Sequence, residues 1–148
     1  MGLFTLYNVT ASIGVSVAGT PPVWTYAQLG EGFDNISESL GEVVQQYFFL
    51  SDGGFAKNHV TGLAPVFTLT GRRVMGDTAQ DYIFGKKYNL DTDRQSSFKL
   101  VYVNGGTTTT LTCDCTICNI QEWSGASTDD SAISVEIRFD GAPTVTTA

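Results

Sequence analysis

The sequence predicts a mainly β fold: an antiparallel β-sandwich or barrel with one packed α-helix. Three observations carry this expectation. Apolar residues recur at every second position in short runs, most cleanly at Ile133, Val135, Ile137 and Phe139, with Ser134, Glu136, Arg138 and Asp140 between them. Thr, Val, Ile and aromatic residues fill the runs, and 16 Gly, with Asn and Pro, punctuate them. A clear helix-start signal occurs once, at Asp77.

Residues 1–22 carry no charge, are rich in Gly, Ser and Thr, and end in Pro21-Pro22. They are expected to form an N-terminal arm, with the domain proper over 23–143 and a short tail over 144–148. Trp24, Tyr26 and Leu29 mark a first strand. A Gly-rich acidic stretch, Gly30 to Asp34, leads into a polar connection that ends at Gly41. Glu42 to Leu50 then places Val43, Val44, Tyr47, Phe48, Phe49 and Leu50 on both faces of one strand. Such a strand is expected to be covered on both sides, by its own core or by a neighbouring subunit. Ser51 to Asn58 reads as a loop, with Gly53-Gly54 at its tip and Phe55 beside them.

Leu63 to Gly71 alternates again, and Pro65 marks the start of that strand or an edge. The helix is expected from Asp77 to about Tyr88. Asp77 and Gln80 have capping-box spacing, and Lys86 and Lys87 complement the negative end of the helix dipole. Phe98–Val103 and Thr107–Thr112 form a hairpin about Asn104-Gly105-Gly106. Cys115–Trp123 continues the β pattern, Ser124–Ser131 is an acidic loop, and Ala132–Asp140 is the best-patterned strand. Six or seven strands and one helix result.

Fifteen acidic and eight basic residues give a net charge of −7, which argues against a protein that holds nucleic acid by its phosphates. The charge is segregated. Residues 1–56 contain no Lys or Arg, whereas Arg72, Arg73, Lys86 and Lys87 fall in a basic middle third. No apolar run approaches the length of a membrane span, and the N-terminus lacks the basic start of a secretory signal.

The sequence carries few groups suited to chemistry. Cys113, Cys115 and Cys118 match no usual structural zinc spacing, and the one histidine, His59, is remote from them in sequence. They read as small strand residues. No nucleophile motif accompanies His59, Asp129-Asp130 reads as a solvated loop pair, and no phosphate-binding glycine loop is present. The sequence therefore predicts no enzyme, no cofactor and no metal. A well-patterned β fold with a doubly apolar strand and no reactive site points to assembly.

The residues resemble a known family from about Trp24 to Pro143. The pieces are Gly30-Glu31-Gly32, Glu42 to Phe48, the Gly53-Gly54-Phe55 loop, Thr70-Gly71-Arg72-Arg73, Gly76 to Ile83, Thr116 to Ile120, and Ile133 to Asp140 closing on Gly141-Ala142-Pro143. In this order they resemble the major tail (tail tube) proteins of long-tailed, non-contractile bacteriophages. The resemblance implies homohexameric rings stacked into a tube within the virion tail, made in the bacterial cytoplasm. It also implies tape measure and tail-end proteins as assembly partners, DNA that passes through without specific binding, and no membrane binding. Each subunit would lend four strands to an inner barrel. Twenty-four strands about 4.8 Å apart and tilted by about 40° give a bore of roughly 40 Å.

On that reading the strands at 42–50, 60–71, 113–123 and 132–140 line the tube, with Ser134, Glu136, Arg138 and Asp140 facing the lumen. The loop of Asp52, Gly53, Gly54, Phe55, Ala56, Lys57 and Asn58 is expected to stack rings. Tyr47, Phe48, Phe49, Arg72 and Arg73 are expected at subunit contacts. The alternatives are the tube of a contractile tail or injection machine, and a carbohydrate-binding β-sandwich with Trp24 and Trp123 as platforms.

Overall fold

A computed structural model describes residues 2–148, so Met1 of the expected arm lies outside the described residues. In chain order the elements are β1 (Val9–Ala18), β2 (Val23–Gln28), β3 (Phe33–Ser39), β4 (Val43–Tyr47), β5 (Lys57–Gly62), β6 (Val66–Arg72), α1 (Thr78–Gly85), β7 (Gln95–Asn104), β8 (Thr107–Gln121), β9 (Ala132–Phe139) and β10 (Thr144–Thr147). Eight strands form one antiparallel sheet in the order β2-β1-β7-β8-β9-β6-β3, with β10 also paired to β8. β4 and β5 pair only with each other, as a separate ribbon.

The sheet doubles back because β8 changes partners along its length. Thr107–Thr116 pairs with β7, Thr109–Thr112 with β10 on the other edge, and Cys115–Gln121 with β9. The result is a sandwich of two layers, β2-β1-β7 with the first half of β8 over β3-β6-β9 with the second half. Phe67 of β6 packs against Phe98 of β7 with ring centroids 5.1 Å apart, although β8 and β9 lie between those strands in the sheet. Ile13, Leu69, Ile117, Val135 and Ile137 complete this core, and Ala79, Ile83 and Phe84 bring α1 onto it.

Both chain ends depart from expectation. Val9–Ala18 is no arm: β1 lies between β2 and β7, and Ile13 is fully buried. Its small residues allow close packing. A β-carbon on Gly14 would come within 2.6 Å of the Trp24 ring, and the Ser96 hydroxyl donates to the Gly14 carbonyl at 2.6 Å. Residues 144–147 are likewise strand β10, and Ala148 and Thr108 exchange two backbone hydrogen bonds.

The polar connection before Gly41 is strand β3, whose pairing to β6 requires no apolar alternation. The helix starts as expected, with the Asp77 carboxylate accepting from the Gln80 backbone N–H at 3.0 Å, but it ends at Gly85. The apolar strand expected over 42–50 ends at Tyr47, and Lys57 and Asn58 of the expected loop already belong to β5.

Candidate assembly surfaces

Three surfaces bear on function. The first is the β4–β5 ribbon. β3 and β6 run together to Ser39 and Val66, and the same two chain segments then continue outward as β4 and β5. At the junction Gly41 adopts φ +55°, and the Ala64 N–H donates to the Leu40 carbonyl at 2.7 Å. Every residue of β4 is exposed. The strand expected to be covered on both faces is covered on neither within one subunit.

Tyr47 and Phe49 stack at 5.6 Å, Phe48 is 65% exposed, and Leu50–Asp52 forms a short 3-10 turn. Gly53 and Gly54 turn the tip in left-handed conformations, and Phe55 projects from it at 80% exposure. Asp52 and Lys57 pair across the tip at 3.5 Å, and Gln46 donates to Asn58 at 3.3 Å. Ala56 is half-buried. The tip residues thus sit together at the end of a projecting arm. A two-stranded ribbon with apolar faces in water is marginal by itself and is stabilised when something covers it.

The second surface is the outer face of the four-strand layer. On β9 the apolar set Ile133, Val135 and Ile137 is buried, and Ser134, Glu136 and Arg138 face outward; Asp140, just past its end, is exposed too. Thr68 and Cys118 flank Glu136, and Ser37 lies beyond Thr68. Thr70 flanks Ser134 with Asn35 beyond it. The charges lie against this polar face. The Asn119 amide donates to Glu136, Arg138 pairs with Glu136 at 3.3 Å, and the Thr116 hydroxyl donates to Asp140 at 2.6 Å. β3 belongs to this layer, whereas β4 and β5, the 42–50 region expected to line the tube among them, form their own two-stranded sheet within one subunit.

The third is a charged cluster beside α1. Arg73, expected at a subunit contact, has a side chain only 7% exposed and bonds within its own chain. It reaches Glu122 at 2.8 Å and Asp81 at 3.0 Å, and Lys87 reaches the other Glu122 oxygen at 2.5 Å. Burial raises the Glu122 pKa, but the hydrogen bonds from Lys87 and Arg73 outweigh it, so the carboxyl sits below its ordinary value. Burial likewise lowers Arg73, and its bonds to Glu122 and Asp81 carry it above its usual range. Arg72 remains exposed and donates to the Asp130 carbonyl at 3.1 Å.

The Gly30-Glu31-Gly32, Gly71-Arg72-Arg73 and Asp77–Gln80 pieces meet here. Gln80 is fully buried; its amide donates to the Glu31 and Arg72 carbonyls at 2.9 and 3.0 Å, and its oxygen accepts from Val74 N–H at 2.8 Å and from Arg73 at 3.3 Å. All four capacities of one amide are filled, which makes this cluster a structural clamp. No spacing in the sequence marks Gln80 as anything beyond a capping-box residue.

The cysteines do not converge. Cys113 and Cys115 point into the core, and Cys118 lies on the opposite face of β8. Burial raises both core thiols and keeps them protonated. Trp24 packs over Gly14 and offers no free platform; Trp123 is exposed, with the Lys87 ammonium 5.5 Å from its ring centre. His59 lies in β5, opposite Gln45. Among the described residues no helix is long and apolar enough to cross a membrane.

No protein-family model and no curated protein matches the chain. Solved structures do. A chain in the tail of an empty gene transfer agent (GTA) particle, computed with helical refinement in C6 symmetry, superposes with a TM-score of 0.72 at 12% identity, over 97% of this chain and 99% of that one. This chain has a tail-tube-like fold. A chain of the native GTA virion matches with a TM-score of 0.70 at 11% identity, again over 97% and 99%. The tube-terminating cap of the anti-feeding prophage matches with a TM-score of 0.62 at 13% identity, over 100% and 93%. The tail-tube-like fold thus spans β1 to β10, both ends included.

Proposed function

We propose that this chain is the repeating structural subunit of a virion tail tube, assembled as stacked hexameric rings around a channel through which DNA is delivered. The observation that carries this reading is the end-to-end likeness to a chain of a C6-symmetric tail. The surfaces support it. The β3-β6-β9-β8 layer has a polar outer face fit for a wet lumen, and its four strands are enough for six copies to close a barrel of twenty-four. Its outer strands, β3 and the second half of β8, are the elements that meet neighbours around the ring, and closure removes exposed sheet edges. Ser134, Glu136, Arg138 and Asp140 then face the DNA, and the mild acidic excess keeps phosphates from adhering over a distance of about 8 Å.

The β4–β5 ribbon, with Tyr47, Phe48, Phe49 and the Asp52–Asn58 tip, carries contacts between subunits and rings. Tape measure and tail-end proteins belong to the same assembly. The likeness to a tube-terminating cap supports a second reading, a single terminal ring. Electron microscopy of the purified protein decides between them. Hollow tubes with six-fold end views are expected; rings that never stack favour the cap, and a monomer at every concentration overturns both.

A further inference from the structure

The sandwich is open along β3. Between β3 and the β1–β7 face runs a seam with two hollows, which share Leu6, Val9 and Ile36. The larger has a volume of about 500 Å³ and is walled by Phe4, Leu6, Ile36, Phe67, Leu100 and Tyr102. Phe4 meets Tyr102 edge-on at 5.8 Å, so the segment before β1 forms one lip. The smaller, about 350 Å³, reaches down to Ala11, Leu29 and Leu69 of the core. Asp34 and Glu38 line the two hollows, and no Lys or Arg does.

The same chain carries an apolar arm with no place to put it. Nine large apolar side chains between Val43 and Leu63 are each 43% to 106% exposed. Together they offer on the order of 1,000 Å² of apolar surface, more than a monomer ordinarily exposes and about what one partner contributes to a stable interface. The arm and the seam are uncovered in the same subunit, so neither covers the other. Lys57, the arm's one Lys or Arg, pairs with Asp52 at 3.5 Å yet keeps 65% of its side chain exposed at the tip, opposite in sign to the acids of the seam.

We propose that the seam of one copy receives the arm tip of a second copy, with Phe48, Leu50 and Phe55 entering the Phe4–Tyr102 hollow and Lys57 facing Glu38. The two surfaces differ, so the contact is head-to-tail and repeats without closing. The inference deepens the tube reading by naming the receptor for the arm, and it rests on that reading only for the identity of the two copies as members of successive rings.

Complementation tests it. F48D/F55D disables the arm and leaves the seam intact; L6D/Y102D alters exposed or half-buried seam positions and leaves the arm intact. Each variant alone is expected to raise the assembly threshold at least tenfold. Assembled separately and then mixed in equal amounts, they are expected to join by the one intact contact and stop at two units, rings or subunits, in analytical ultracentrifugation. A second measurement does not depend on charge in the seam. L6C and L50C chains, both with C118S, are mixed and treated with a short bismaleimide; cross-links between different chains are expected. Absence of both the mixed pair and the cross-link overturns the inference. If L6D/Y102D forms normal tubes, the tube reading stands and the seam falls. If the mixture pairs while the wild type never forms tubes, the seam stands and the tube reading falls.

Discussion

Gly71 and Gly32 approach so closely that a β-carbon on Gly71 would lie 2.0 Å from the Gly32 carbonyl oxygen, far inside van der Waals contact. A β-carbon on Gly32, where φ is +81°, would in turn overlap the Arg72 carbonyl and the Gln80 amide. The obstructing atoms are mainly backbone and cannot swing aside. Gly71→Ala is therefore expected to destabilise the subunit by about 3 kcal/mol or more. In a background that cannot assemble, circular dichroism should record a melting temperature about 10 °C lower.

Gln80 is held by the same crowding. Gln80→Leu leaves the Val74 N–H and the Glu31 and Arg72 carbonyls without their partner, at an expected cost of about 3 kcal/mol in urea unfolding. Gln80→Glu is expected to be worse near neutral pH, because a carboxylate would face two carbonyl oxygens, and to recover in part on acidification. Equal stability of the two variants at all pH values would contradict this role.

The Glu122 cluster has a defined pH dependence. Its carboxyl is depressed below the ordinary value by Lys87 and Arg73, so its contribution is complete above the ordinary carboxylate range and is lost as pH falls through the folded pKa. Glu122→Gln is expected to cost about 2 kcal/mol at pH 7. The gap to the wild type should narrow as pH falls through and below the ordinary carboxylate range. Denaturant curves at pH 7, 5 and 3.5 measure it, and a constant gap would refute the assignment.

Charge reversal on the proposed lumen face separates assembly from passage. Glu136→Lys with Asp140→Lys should leave tube length and diameter unchanged, because Glu136 sits on the outer side of β9 and Asp140 is exposed just past its end. DNA release from particles carrying the pair should slow several-fold at low salt and recover at high salt, as counterion screening requires. Unchanged release kinetics would remove this face from the channel.

Deletion of Asp52–Asn58 removes the arm tip without touching the sandwich core. Thermal stability of the isolated subunit should change little, and electron microscopy should show subunits or single rings in place of tubes. Normal tubes from this deletion would end the stacking role.

What the sequence disclosed follows from how burial is distributed. β9 was legible because one face is buried and the other wet, which writes a period of two into the residues. β1 was not, because its burial depends on small residues such as Ala11 and Gly14 fitting beneath Trp24, and small uncharged residues read as flexible chain. β3 was hidden by Asp34, Asn35, Ser37 and Glu38, which an edge strand tolerates and a central strand would not. The ribbon announced itself by its excess of apolar residues, though its separation from the sheet is a property of topology alone. Arg73 shows the limit most clearly. The Arg72-Arg73 pair suggests partners among the chain's many carboxylates, in this subunit or the next, and only the fold selects Glu122 and Asp81 for Arg73.

The junction at Gly41 has a mechanical consequence. A long tail on a particle in flow must curve, so material on its outer side lengthens while the inner side shortens. If the arm tips stay anchored, that strain falls on the point where the arm leaves the body, which Gly41 and one Ala64–Leu40 hydrogen bond span. Curvature is then taken up by small rotations at many such joints rather than by prising anchored tips loose. A tube built as proposed would be supple along its axis while its wall stays sealed.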